Sequence, residues 1–159
     1  LGGGTGVFTR ALLEHGIEPA HLMVLELNQE LHQYLSRRFV NSRVVCGDAR
    51  ELRELVGHYR FDADGPVDAV VSGLGLLSMS RRIQREILQA AFGVLAPHGR
   101  FVQFTYGPVS PVARELLDEL GLGVRRGGFA WWNMPPASVY VFERSRSRPV
   151  HPVRATPRR

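Results

Sequence analysis

The chain has 159 residues, enough for one domain with a sizeable core, and 44% of them are hydrophobic, an ordinary share for a soluble globular protein. No run approaches the roughly 20 apolar residues of a membrane span, and the single Cys46 excludes an internal disulfide and fits a reducing cytoplasm. The net charge of +5 is unevenly placed, because all 15 acids lie at or before Glu143, whereas Arg144 to Arg159 holds Arg and no acid. The folded body is therefore near neutral, and the basic excess belongs to the tail. Every basic residue is Arg and none is Lys, which fits a GC-rich bacterial coding sequence.

Leu1 reads as the end of a buried strand, and Gly2-Gly3-Gly4-Thr5-Gly6 as a glycine loop that opens a helix. With no residue before Leu1 and no initiator Met, the expectation is a chain cut inside its first strand. Val7 to His15 follows with a helical spacing of apolar residues and stops at Gly16. Leu22 to Leu27 is an apolar strand broken only by Glu26. Asn28 is placed to cap a helix through Phe39 with Leu31, Tyr34, Leu35 and Phe39 on one face. Arg43 to Cys46 is a short strand followed directly by Gly47-Asp48-Ala49, and Glu51 to Gly57 a short helix. Tyr59 to Pro66 is a polar loop with a Gly-Pro turn.

Val67 to Ser72 is the next buried strand. Ser80 caps a helix to Ala96 with Ile83, Ile87, Ala91 and Leu95 in register, ended by Pro97-His98-Gly99. Arg100 to Tyr106 is a strand and Ser110 to Leu120 a helix. Leu122 to Trp132 and Ala137 to Glu143 are two strands without a helix between them, joined through Asn133-Met134-Pro135-Pro136. A hairpin thus closes a sheet built otherwise from strand–helix–strand units. The domain spans 1–143, and 144–159 is an Arg-, Ser- and Pro-rich tail expected to be disordered.

The glycines let backbone approach a ligand closely. Glu26 stands twenty residues beyond them, where an acid at a strand end can bind ribose hydroxyls and where an unpaired buried charge would be costly. Together they point to a cofactor that carries a nucleoside on a doubly wound α/β sheet. A dinucleotide fold would place its third glycine at Val7, whereas here it falls at Gly6.

This spacing, Glu26, Gly47-Asp48-Ala49 and the terminal hairpin resemble the class I S-adenosylmethionine-dependent methyltransferases over roughly residues 1–143. The resemblance implies a three-layer, Rossmann-like α/β fold. Its mostly parallel sheet would have the order 3-2-1-4-5-7-6, with the last strand antiparallel and the first truncated. It implies S-adenosyl-L-methionine as cofactor, held by Gly2, Gly4, Thr5, Gly6, Glu26, Leu27, Asp48, Ala49 and Ser72. Asp48 would bind the adenine amino group and Ala49 would offer its amide to the ring. Asp48 also stands where the next helix needs an N-cap, and the two roles can coexist.

Val70 to Met79, Gly99 to Gly107 and Asn133 to Ala137 are similar to segments of the bacterial phospholipid N-methyltransferases, which convert phosphatidylethanolamine toward phosphatidylcholine and resemble the ribosomal RNA adenine dimethylases. That family commonly has Pro where this chain has Gly75, which implies a looser loop. The methyl acceptor would sit at Ser72, Gly73 and Leu74. Base-methylating relatives carry an amide and a stacking aromatic in this loop. Here the loop is small and apolar, which suits a lipid amine better than an adenine. Tyr106 is either a hydroxyl partner of the amine or a packing residue.

The implied partner is a phospholipid headgroup at a membrane surface, with the protein cytoplasmic and peripheral at the inner membrane. The alternatives are an RNA adenine dimethylase and an inactive cofactor-binding fragment. Asn133 to Pro136 reads as a turn, and Trp131 and Trp132 as packing or headgroup-level anchors. The tail suits anionic lipid or nucleic-acid phosphate, or is simply solvated. The six His show no ligand spacing, so no metal is expected.

Overall fold

The computed structural model describes residues 1–63, 65–106, 109–130 and 137–145, with Phe129 and Ala130 described for their backbone alone. The expected turn at 133–136, Trp131, Trp132 and the tail from 146 lie outside the described residues.

The strands are β1 (Met23–Glu26), β2 (Arg43–Cys46), β3 (Val67–Ser72), β4 (Leu95–Tyr106), β5 (Leu122–Ala130) and β6 (Ala137–Arg144). The helices are α1 (Val7–Glu14), α2 (Gln29–Arg38), α3 (Leu52–His58), α4 (Arg81–Val94) and α5 (Arg114–Glu119), with 3-10 turns at Pro19–His21, Ala49–Glu51 and Leu76–Ser78. β1 and β2 pair in parallel, and the other four strands follow the order β3-β4-β6-β5. β6 runs antiparallel to both of its neighbours.

Leu1 to Gly3 bridges the two sheets. Gly2 N and Gly3 N donate to Leu25 O at 2.9 and 3.2 Å, and Gly73 N donates to Leu1 O at 3.0 Å. The order across the molecule is β2, β1, the Leu1–Gly3 backbone, β3, β4, β6, β5, as the methyltransferase resemblance implied. The parallel part is built from strand–helix–strand crossovers, and the hairpin supplies the one reversed strand.

The main core lies between this sheet and α3, α4 and α5. Val70, Ile87, Leu88, Ala91, Phe101, Leu116 and Phe142 are buried in it. Phe101 packs edge-on against Phe142 at 5.8 Å between ring centroids, a geometry that aromatic quadrupoles favour. A smaller cluster of Val24, Leu35 and Phe39 lies under α2. Tyr34, expected on that buried face, is instead exposed, with the Arg38 guanidinium over its ring. Arg38 sits one turn on, so the cation holds the ring at the surface.

The two predicted caps form, with Asn28 Oδ1 accepting from Leu31 N at 3.0 Å and Ser80 Oγ from Ile83 N at 3.4 Å. β4 begins earlier than expected. It starts at Leu95, directly after α4, because Leu95 pairs with Val67 and the register then shifts until Arg100 meets Ala69. Pro97 and Gly99 fall in this bulge, where Pro needs no ladder hydrogen bond. Arg144, the first residue of the Arg-rich tail by composition, is the last residue of β6. Its guanidinium donates to Leu95 O at 3.2 Å and Ala96 O at 2.6 Å, beside the carboxyl end of α4.

Candidate functional site

The carboxyl ends of β1, β2 and β3 and the glycine loop meet at a cleft of about 270 Å³. That is just under the roughly 300–1,000 Å³ of common small-molecule sites. Its lining includes Gly2, Glu26, Leu27, Asp48, Ala49 and Leu74, all singled out from the sequence, together with Arg50, Met79, Ile83 and Ile87. A larger cavity of about 710 Å³ lies on the other side of Leu1–Gly3, against the starts of β1 and β3. It holds neither Glu26 nor Asp48 and is not where the sequence motifs converge.

Gly2 and Gly4 have φ of +67° and +52°, a left-handed conformation open mainly to glycine. This lets the loop double back so that its amides face the strand ends. Gly4 N donates to Glu26 Oε2 at 2.8 Å, and Asn28 N donates to Glu26 Oε1 at 2.9 Å. Glu26 is 8% exposed. The buried charge feared from the sequence is thus met by two backbone amides. A carboxylate has about four lone-pair sites, so two acceptor positions remain toward the cleft. The pattern fits a ligand carrying two adjacent hydroxyls.

Asp48 fills the capping role that the sequence left open. Its Oδ1 accepts from Arg50 N at 2.9 Å, starting the 3-10 turn, and its Oδ2 pairs with Arg50 Nη2 at 2.7 Å. Hydrogen bonding to the Arg50 guanidinium holds the Asp48 carboxyl below its usual range, against a smaller opposing effect of burial. Arg50 Nη1 also reaches Glu86 on α4 at 3.5 Å. The acid is therefore held by Arg50 and ionised where the cleft opens.

The acceptor residues are placed less uniformly. Leu74 lines the cleft. A Cβ built on Gly2 would lie 2.8 Å from Leu74 Cδ2, so the two loops are in close contact. Ser72 is wholly buried, and its Oγ accepts from Leu74 N at 3.3 Å, shaping the loop from below. Gly73 N is held by Leu1 O. Tyr106 is not part of the cleft. It is 58% exposed at the end of β4, with its ring 5.5 Å from Phe104, which lies 5.2 Å from Phe8. Thr5 is exposed, while Gly6 is buried at the start of α1.

The loop from Leu74 to Met79 is well bonded. Leu76 N donates to Leu74 O at 2.8 Å across Gly75, whose φ of −73° and ψ of 57° make an inverse γ-turn. Gln103 Nε2 donates to the same Leu74 O at 2.8 Å, and Gln84 Nε2 to Leu76 O at 2.7 Å. Gly75 therefore does not leave the loop slack. Sequence reasoning missed these glutamines, because each looks like one polar residue on a buried face. It also missed Arg50, although a two-residue spacing from Asp48 lets the guanidinium turn back. Ile83 and Ile87 read as core, and only the packing of α4 shows that they also wall the cleft. Among the described residues, no group of three or more His, Cys, Asp and Glu could hold a metal ion, and no helix is long and apolar enough to cross a membrane.

Residues 1–99 match the family described as methyltransferase domain. The chain is 32% identical over 145 residues to an ornithine lipid N-methyltransferase of Singulisphaera acidiphila, covering 88% of this chain and 71% of that protein. Its fold is similar to a TehB-like S-adenosylmethionine-dependent methyltransferase of Corynebacterium glutamicum, with TM-score 0.62, 18% identity, and 91% and 77% of the two chains covered. It is also similar to the Burkholderia thailandensis 1,6-didemethyltoxoflavin-N1-methyltransferase bound to S-adenosylhomocysteine, with TM-score 0.62, 17% identity, and 91% and 69% covered. Motif match, relative and fold agree: the chain belongs to the methyltransferase domain family and has the fold of the S-adenosylmethionine-dependent methyltransferases.

Proposed function

We propose that this methyltransferase transfers methyl groups from S-adenosyl-L-methionine to the primary amine of a membrane lipid headgroup. The observation that carries the reading is the shared cleft, in which Leu74 of the acceptor loop meets Gly2, Glu26 and Asp48. The 32% identical ornithine lipid N-methyltransferase supports a lipid acceptor. Phosphatidylethanolamine and ornithine lipid both present a primary amine on a flexible headgroup, and phosphatidylethanolamine is the substrate we assign first. The surface of the bilayer is then where the protein works, as a peripheral enzyme.

S-adenosyl-L-methionine supplies an electrophilic methyl group on a sulfonium sulfur. The chain's own residues bind and align. Glu26 takes the ribose hydroxyls on its two remaining acceptor positions, steadied by Gly4 N and Asn28 N. Gly2, Gly4, Thr5 and Gly6 bring loop backbone against the ligand. Asp48 and the Ala49 amide read the adenine edge, with Leu27, Met79, Ile83 and Ile87 as apolar walls. The amine must be neutral when it attacks, since its lone pair is the nucleophile. Leu74, with Met79, Ile83 and Ile87, supplies an apolar setting that lowers an amine's pKa and keeps water away. Ser72 holds the Leu74 amide and so supports the wall from beneath. Tyr106, exposed and outside the cleft lining, is assigned to contact with the lipid rather than to proton transfer.

The test is a methyl-transfer assay with labelled cofactor and three acceptors: phosphatidylethanolamine vesicles, ornithine lipid vesicles and ribosomal RNA. Label in either lipid supports the reading, and the ratio between them assigns the headgroup. Label in RNA alone would replace it with an adenine methylase. Binding of S-adenosylhomocysteine without label in any acceptor would reduce the chain to a cofactor-binding module.

A further inference from the structure

We propose that Gln103 and Gln84 are positioning residues that set the acceptor loop, acting through the carbonyls of Leu74 and Leu76. The inference rests on the reading that this loop receives the amine. Gln103 is wholly buried on β4, where it is paired in register with Ser72 and with Tyr140. The row two residues earlier, Val70, Phe101 and Phe142, is entirely apolar. The sheet turns polar at the level where the loop leaves it.

Gln103 Nε2 donates to Leu74 O at 2.8 Å and to Phe104 O at 2.6 Å, while its buried Oε1 has no hydrogen-bond partner among the described residues. A buried acceptor left unpaired is destabilising, and a leucine or methionine of similar volume would avoid it. The amide is therefore poorly explained by stability. Its donor, however, meets the one carbonyl that closes the γ-turn over Gly75.

Gln84 does the same from the opposite side. It is buried on α4, and its Nε2 donates to Leu76 O at 2.7 Å and to Pro111 O at 3.1 Å. It thus ties the loop to the segment after β4. Two side chains from different elements pin alternate carbonyls of one short loop. The consequence falls on Leu74, the residue that touches both the glycine loop and the cleft. A wall held this way sets the approach of the amine and the room left as it grows by successive methyl groups.

The test compares wild type with Gln103→Leu and Gln84→Met. Both should bind S-adenosylhomocysteine within about threefold of wild type, since the Glu26 and Asp48 contacts persist, while kcat on lipid vesicles falls by about 10–100-fold, the size expected of a misplacement near 1 Å. The ratio of mono- to more highly methylated lipid should also change, which loss of stability alone would not produce. Amide hydrogen exchange should quicken at residues 73–79 and not elsewhere. Unchanged kcat and product ratio in an active background would overturn the proposal. Unfolding of Gln103→Leu together with normal turnover of Gln84→Met would overturn it as well. If wild type labels no lipid, the function reading fails by itself, and the exchange experiment still decides whether the glutamines hold the loop: unchanged exchange at 73–79 rejects the clamp.

Discussion

Glu26 Oε2 accepts from Gly4 N at 2.8 Å. With the bonds from Gly2 N and Gly3 N to Leu25 O, it joins the glycine loop to the end of β1 and brings the two halves of the cofactor motif within reach of a single ligand. Glu26→Gln leaves one carbonyl oxygen but sets an NH₂ against a backbone N–H. It should weaken S-adenosylhomocysteine binding by about 10–100-fold and cost about 1–3 kcal/mol of stability, the range for a buried group that loses its partner. Titration calorimetry and thermal unfolding measure both. Unchanged affinity would show that Glu26 only braces the loop.

Asp48 and Arg50 predict an acid-side dependence. Arg50 holds the Asp48 carboxyl below its ordinary value of 3.8. A group with a depressed folded pKa contributes stability above its unfolded value and loses it as pH falls through the folded value. Arg50→Gln removes that contribution. The mutant's unfolding temperature should lie below wild type at neutral pH, and the gap should close as pH falls below about 4. The pair is partly exposed, with side-chain exposures of 43% for Arg50 and 22% for Asp48, so added salt should shrink the gap. A gap that is constant with pH would mean that Arg50 acts by packing.

Gly6 and Gly16 separate backbone strain from crowding. Both have positive φ, +81° and +93°. A Cβ at Gly6 would lie 2.5 Å from Phe39 Cε2, whereas at Gly16 nothing lies within 4 Å. Gly16→Ala should cost about 1–2 kcal/mol from the left-handed conformation. Gly6→Ala should add about 1–3 kcal/mol of overpacking. Denaturant unfolding of the two variants gives the comparison, and equal losses would mean that Phe39 moves aside freely.

Tyr106 is the acceptor-side residue that does not line the cleft. Its exposed ring lies on the Phe8–Phe104 face and outside the cleft. If the hydroxyl of this exposed side chain outside the cleft takes no part in proton handling, Tyr106→Phe should keep kcat within about twofold. Tyr106→Ala should raise the KM for lipid vesicles more than it lowers kcat. A large kcat loss in the Phe variant would return the hydroxyl to the mechanism.

Much of this protein is determined by residues that act locally. The helix caps at Asn28 and Ser80 formed as read, since a cap needs only one side chain and an amide three residues on. The alternation of apolar runs and helices gave the strand–helix–strand units, while the strand order was what the methyltransferase resemblance implied, and the structure has it. The positions of the glycine loop, Glu26 and Asp48 were equally legible, as their spacing encodes a strand, a turn and the next strand end. What the sequence could not decide was the partner of each polar group around the cleft. The approach of Gly4 to Glu26, the return of Arg50 onto Asp48 and the pinning of the acceptor loop by Gln84 and Gln103 each depend on atoms 2 to 29 residues apart meeting within 3.5 Å. Hydrogen bonds have that short reach and no sequence periodicity, so only the packed sheet, with α4 laid against it, determines them.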